Sequence, residues 1–157
     1  MMDYNALAEL LFPDVTKTTD YYEQLYPERN LPEGAKVTRF APSPTGFVHF
    51  GGLFPVLVNL YLARQSGGVF YLRIEDTDEK REVAGAEKDI IKAFEQFGIE
   101  FDESIVKGGA YGPYRQSERK EIYRTFAKKL VAEGKAYPCF CTKKELDSMR
   151  RQQRAKK

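Results

Sequence analysis

Two cysteines in 157 residues make no disulfide framework, so a reducing compartment is expected. The chain has one histidine, His49. No His–His pair can form, and with His49 placed in the turn described below none remains for a Ser–His–Asp triad. No apolar run is long enough to span a bilayer, and the first residues lack the basic-then-apolar pattern of a secretion signal. These absences predict a soluble, cytoplasmic protein with no membrane partner. Excess charge of one sign is lacking too. Lys and Arg number 25 against 23 Asp and Glu, and the net +2 neither demands nor excludes nucleic acid. Only the end is crowded with one sign, by Lys143, Lys144, Arg150, Arg151, Arg154, Lys156 and Lys157, which reads as a solvated helix face. No internal repeat is found.

What is present is enough for a core, with 42% hydrophobic residues in a length that suits one domain and an appendage. Residues 1–35 read as an N-terminal, largely helical extension. Ala6, Leu7, Leu10 and Leu11 fall at helical spacing before Pro13, and Asp20 with Glu23 suggests a capping box ahead of Tyr21, Tyr22, Leu25 and Tyr26. From Lys36 the pattern changes to strand, turn, helix and strand. The first strand should stop near Ala41, because Pro42 and Pro44 cannot donate to a ladder. The helix after the turn should bury Leu53, Val56, Leu57, Leu60 and Tyr61. Val69 to Ile74 then suits an interior strand of a parallel sheet. A helix is expected over 82–97 with Ala86, Ile90, Ile91, Phe94 and Phe97 inward. Another follows Ser117 as N-cap, burying Ile122, Phe126, Leu130 and Val131. Tyr137 to Cys141 reads as a short strand, and Thr142 with Glu145 as a capping box opening a last basic helix.

The organising run is Arg39-Phe-Ala-Pro-Ser-Pro-Thr-Gly-Phe-Val-His-Phe-Gly-Gly52. It sits between strand and helix, where unpaired helix N–H groups and the positive end of the helix dipole favour a phosphate. Gly51 and Gly52 let backbone approach a ligand, and His49 adds a donor at the same rim. Glu75-Asp-Thr-Asp78 follows the second strand directly. In open α/β sheets ligands bind at the carboxyl ends of the strands, so both segments should share one rim. The plain alternative is an ordinary βα turn with a surface histidine.

This run resembles the first signature of the class I aminoacyl-tRNA synthetases, in its glutamyl-tRNA synthetase form. Leu72-Arg-Ile-Glu-Asp-Thr-Asp78 and Gly112-Pro-Tyr-Arg-Gln-Ser-Glu-Arg119 resemble the same family in the same order, over about residues 36–157. Gly52 stands where the signature has its second histidine, which removes one donor to the ATP phosphates. The resemblance implies an α/β fold: the N-terminal half of a Rossmann-like parallel sheet flanked by helices. It further implies three parts, the extension over 1–35, the first catalytic half over 36–133, and the start of an inserted acceptor-binding subdomain over 134–157.

The resemblance also implies ATP-dependent activation of glutamate and its transfer to tRNA(Glu), with ATP as substrate alongside Mg2+. His49, Gly51 and Gly52, joined by Thr45, would hold ATP and carry the catalytic role. Arg39, Ala41, Ser43 and Glu75 would contact glutamate, Arg39 through a two-donor fork on a carboxylate and Glu75 by accepting from the ammonium. Read from residues alone, Arg39 and Glu75 can equally form an ion pair with each other. Asp76 and Asp78 can order the loop, approach the acceptor end or cap the next helix, and Arg115 and Gln116 can touch substrate or brace their loop. Cys139 and Cys141 resemble half of a zinc site in some relatives. A structural zinc needs four ligands, so the two are read as free thiols.

The run Arg151 to Lys157 has no glycine or proline stop, and neither a second signature loop nor an anticodon-binding region is present. The chain is therefore expected to be a fragment that does not aminoacylate alone, from a parent acting as a monomer. Half of a sheet should leave an edge for absent strands. Two rival readings are a paralogue that glutamylates a modified anticodon nucleoside (a glutamyl-queuosine tRNA(Asp) synthetase) and a non-catalytic synthetase-derived binding domain.

Overall fold

Val37–Phe40 (β1) and Val69–Leu72 (β2) pair in parallel, with Val37 opposite Val69 and Phe40 opposite Leu72. Both are rich in β-branched and aromatic residues, which fit a pleated surface. The computed structural model describes residues 2–46, 50–78 and 80–155, and within Phe50 only the backbone. The other elements are α1 (Tyr4–Leu11), α2 (Thr19–Leu25), α3 (Phe50–Ser66), α4 (Ala86–Gln96), a 3-10 turn (Ser117–Arg119), α5 (Lys120–Ala132) and α6 (Lys143–Ala155).

The ladder outlasts the strands at their carboxyl ends. Arg73 N–H donates to Phe40 O and Glu75 N–H to Pro42 O, at 3.0 and 2.9 Å. Pro42 has no N–H to give, yet its carbonyl still accepts, so pairing continues on one side only. Beyond the other edge of β2, irregular backbone takes the place of a third strand. Leu72 N–H donates to Glu103 O, Ile74 N–H to Tyr114 O, and Gln116 N–H to Ile74 O. The Asp102 carboxylate adds a bond from Phe70 N–H at 2.7 Å and another from Arg64 of α3. Burial works against the charge on Asp102, but these donors hold its carboxyl below the usual range.

Chain contacts divide the protein into two compact units, Lys17–Thr125 and the pair of segments Met1–Thr16 with Phe126–Lys157. The core of the first unit gathers Leu53, Val56, Ala63, Phe70, Leu72, Ile74, Ile90, Phe94 and Ile99. In the second, Asp3 caps α1 through Ala6 N–H, and Lys128 Nζ donates to Glu9 Oε2 and Val15 O.

Several expectations need correction. In α3 the inward stripe is Leu53, Val56, Leu60 and Ala63, whereas Leu57 and Tyr61 are 52% and 64% exposed. The helix is apolar all round, so periodicity alone could not choose its buried face. Helix α4 starts at Ala86 rather than 82, because Val83 N–H is tied to Pro44 O and Gly85 turns the chain at φ 86°. Phe97, expected inward, lies past the end of α4 as an exposed cap residue. Thr18, not Asp20, caps α2 by accepting from Tyr21 N–H. Ser117 opens a 3-10 turn and bonds Asp76 instead of capping a helix, while Phe126 and Leu130 of α5 are exposed. Tyr137 to Cys141 forms no strand: among the described residues no strand pairs with it, and Tyr137 and Phe140 are exposed. The Thr142–Glu145 capping box does form, with reciprocal bonds of 2.6 and 3.3 Å.

Candidate functional site

The carboxyl ends of β1 and β2 form the rim where Arg39, Ala41, Ser43, Thr45 and Glu75 meet. Ala41 to Gly46 leave β1 in a tight turn closed by Thr45 N–H on Ser43 O at 2.8 Å. Pro44 is buried in it, while Ser43 and Thr45 are exposed. Glu75 leaves β2 alongside, fixed at its backbone by Pro42 O. Arg39 Nη1 donates to Glu75 Oε1 at 2.8 Å. The pair is only partly covered, with side chains 36% and 28% exposed, so a solute can reach it. Arg73 Nη2 also reaches Glu75 Oε1, at 3.4 Å. Two guanidinium groups thus face one carboxylate oxygen.

A second ring of contacts holds this rim. Asp76 accepts from Ser117 N–H at 2.9 Å and from Ser117 Oγ at 2.6 Å. Burial opposes its charge, and the two Ser117 bonds outweigh that and keep its carboxyl below the ordinary range. Thr77 Oγ1 donates to Gln116 Oε1 at 3.1 Å. Arg115 forks onto Glu87, with Nε at 2.8 Å from Oε2, and this pairing raises the guanidinium further. Asp78 takes Arg81 Nε at 2.6 Å. Asp76, Arg115 and Gln116 therefore brace the loop, one of the roles left open for each.

Arg39, Ala41, Ser43, Thr45 and Glu75 are brought to one rim. Gly51 and Gly52 fall in the first turn of α3. His49 lies outside the described residues, as do Phe47 and Val48. Arg73 and Glu87 were not singled out from the sequence, and Ser117 was read only as a helix N-cap. Arg73 carried a signal, being the one charge inside an apolar strand and two residues before Glu75. Glu87 acts through a contact distant in sequence and carried none, and the capping signal at Ser117 gave no sign of its bond to Asp76.

Below the rim lies a second cluster. Arg29 forks onto Glu103 at 2.6 and 2.7 Å and stacks on Tyr111, its guanidinium carbon 3.7 Å from the ring centre. Tyr114 OH donates to Glu103 at 2.7 Å. The Arg29 bonds hold the Glu103 carboxyl below its ordinary range, while burial and the Glu103 charge push the Tyr114 phenol up to about 12. A cavity of about 250 Å³ opens here, lined among others by Tyr26, Tyr71, Arg73 and Arg119. A larger one, about 380 Å³, lies between α4 and residues 99–107 and includes none of the rim residues.

Among the described residues no three His, Cys, Asp or Glu gather to hold a metal, and no helix is long and apolar enough to cross a membrane. Cys139 and Cys141 are exposed free thiols. The hydrogen bond and charge of Cys139 push the Cys141 thiol up.

Comparison with known proteins gives a consistent result. Residues 36–157 match the family of tRNA synthetases class I (E and Q), catalytic domain. A glutamate–tRNA ligase of Clostridium perfringens is 57% identical over 160 residues, covering 99% of this chain and 29% of the ligase. The same ligase of Acetivibrio thermocellus is 57% identical over 158 residues, covering 98% and 29%. Among solved structures, a glutamate tRNA ligase of Elizabethkingia meningosepticum in complex with its amino acid superposes with a TM-score of 0.69. It is 46% identical and covers 79% of this chain and 24% of its own. The chain thus spans under a third of the length of these relatives.

Proposed function

The chain belongs to the class I tRNA synthetases for glutamate and glutamine, and from that premise we propose that its rim binds the amino acid of a glutamate–tRNA ligase. The observation that carries this is the accessible Arg39–Glu75 pair at the carboxyl ends of the parallel strands. Free glutamate has two carboxylates and one ammonium. Arg39 offers a fork to a carboxylate, Glu75 an acceptor to the ammonium, and the exposed Ser43 hydroxyl and the backbone at Ala41 further polar contacts. Glutamate therefore exchanges the internal ion pair for two intermolecular ones.

In the whole enzyme the glutamate α-carboxylate attacks the α-phosphorus of ATP. A P–O bond forms, the bond to pyrophosphate breaks, and glutamyl-adenylate results. A ribose hydroxyl at the 3′ end of tRNA(Glu) then takes the acyl group and AMP leaves. No covalent enzyme intermediate is required, so the protein's part is to position reactants and offset phosphate charge. Thr45, His49, Gly51 and Gly52 are assigned to the nucleotide. Magnesium supplies charge neutralisation of the phosphates, and an ion carried on those phosphates needs no dedicated protein cage. Residues 36–133 supply the first catalytic half, 134–157 open the acceptor-binding insert, and 1–35 form the extension. The cytoplasm and a monomeric parent complete the reading.

The test is an NMR titration of the 157-residue chain with L-glutamate. A millimolar-range Kd is expected. Arg39→Gln should weaken it about tenfold or more, as loss of a charge-assisted bond does. Binding unchanged in both Arg39→Gln and Glu75→Gln would overturn the assignment.

A further inference from the structure

Arg73 sits behind the ion pair and has itself been assigned no contact with substrate. Its side chain is 17% exposed. Its Nη2 lies 3.4 Å from Glu75 Oε1, the same oxygen that Arg39 holds at 2.8 Å. Its Nε is shut off from solvent and has no hydrogen-bond partner among the described residues. In a guanidinium, Nε–H and Nη2 lie on one edge, the edge that grips a carboxylate side-on through two donors. Arg73 is therefore holding half of a fork. One donor makes a long contact and its neighbour is idle, while Arg39 holds the same carboxylate oxygen more closely.

We propose that Arg73 is a positioning residue for glutamate recognition, taking over Glu75 as counterion when the substrate carboxylate claims Arg39. This rests on the reading of Arg39 and Glu75 given above. Two observations support the exchange. The first is charge: Arg39 and Arg73 against one Glu75 leave the free site one positive charge in excess. Glutamate carries one net negative charge, so binding brings the set to neutrality, with Arg39 on the ligand carboxylate and Arg73 on Glu75. The second is accessibility. Arg39 is the more exposed arginine and open to a ligand, whereas Arg73 shares a cavity lining with Tyr26, Tyr71, Tyr114 and Arg119. A buried donor without an acceptor is costly. Completion of the side-on fork satisfies Arg73 Nε and orients Glu75 toward the ammonium.

The experiment compares L-glutamate with glutarate, which keeps both carboxylates and lacks the ammonium. Both are titrated by NMR into the unaltered chain and into Arg73→Gln, Arg73→Lys, Arg39→Gln and Glu75→Gln. If Arg73 acts by orienting Glu75, Arg73→Gln weakens L-glutamate about tenfold, the loss expected for a charge-assisted bond, and glutarate much less. Arg73→Lys, which keeps charge and stem but not the fork, should fall between. A general electrostatic role gives the opposite order, because glutarate carries the larger negative charge and suffers more from a lost cation. A disturbed fold weakens both ligands alike. Either of those results, or unchanged binding, overturns the positioning role. Should Arg39→Gln and Glu75→Gln leave L-glutamate binding intact, or the unaltered chain bind neither ligand, the amino-acid site itself is overturned and this inference with it.

Discussion

The Arg29–Glu103–Tyr114 cluster gives the clearest prediction for single side chains. Arg29 and Glu103 are 16% and 12% exposed and share two short bonds, so water screens them little. Removing one partner leaves the other charge half-buried and unpaired. Arg29→Ala is expected to cost about 1.5–3 kcal/mol at neutral pH, measured by urea unfolding. Acid should erase the difference. The folded Glu103 carboxyl titrates below its ordinary value, so its contribution is complete above the unfolded pKa and is lost as pH falls through the folded one. The stabilities of the parent and Glu103→Gln should therefore converge on acidification, and a gap that persists below the folded pKa would sink this account. This cluster was not legible in the sequence, where its three members are spread from 29 to 114 with no local pattern. Arg39 and Glu75 were legible because each lies at a strand's carboxyl end inside a contiguous motif. Arg73 carried only the weak sign of a charge in an apolar strand.

Among elements, the two paired strands could be read, whereas the strand expected over Tyr137 to Cys141 does not form and the buried face of α3 could not be read. Four-residue strands bounded by prolines and glycines leave little choice of register, and both lie where their β-branched runs put them. Helix α3 is apolar on every side, so its inward face is decided by what β1 and β2 present. Ala63 is fully buried there, although its small side chain gives no periodic signal. Val56→Ala should therefore cost about 2 kcal/mol, whereas Leu57→Ala, one position on, should stay within about 0.5 kcal/mol. Equal losses in denaturant unfolding would show that the wrong face is taken as buried. The glycines after α3 divide their work similarly. Gly67 turns the chain at φ 65°, and Gly68 lies against the Lys36 backbone, where a Cβ would collide with the carbonyl oxygen. That carbonyl accepts the Val69 N–H and begins the ladder. Gly68→Ala should thus destabilise by about 1–3 kcal/mol, the range for overpacking, since backbone has little room to yield. In the sequence the pair reads simply as a helix stop.

For the whole molecule, the exposed surfaces carry the argument. Among the described residues β1 pairs only with β2, so its other edge presents free backbone donors and acceptors. The outward face of α3 adds Phe54, Leu57, Val58, Tyr61 and Leu62, with Phe54 72% exposed. An unpaired parallel edge and a contiguous apolar helix face are both prone to self-association. The chain spans 29% of the length of its Clostridium relative, and a half-sheet with an open edge was expected from the family resemblance. Which face of α3 would be apolar and outward was not, for the reason given above. The chain by itself should therefore associate with rising concentration, seen as an increasing weight-average mass in sedimentation equilibrium. Phe54→Lys with Tyr61→Lys should reduce that association while costing little stability, because both side chains already face solvent. A monomer with a sharp, concentration-independent melt would mean that neither surface drives association. Association that survives the double lysine substitution would assign it to the β1 edge, where Val37→Pro, which removes a backbone donor on the side away from β2, is the next discriminating change.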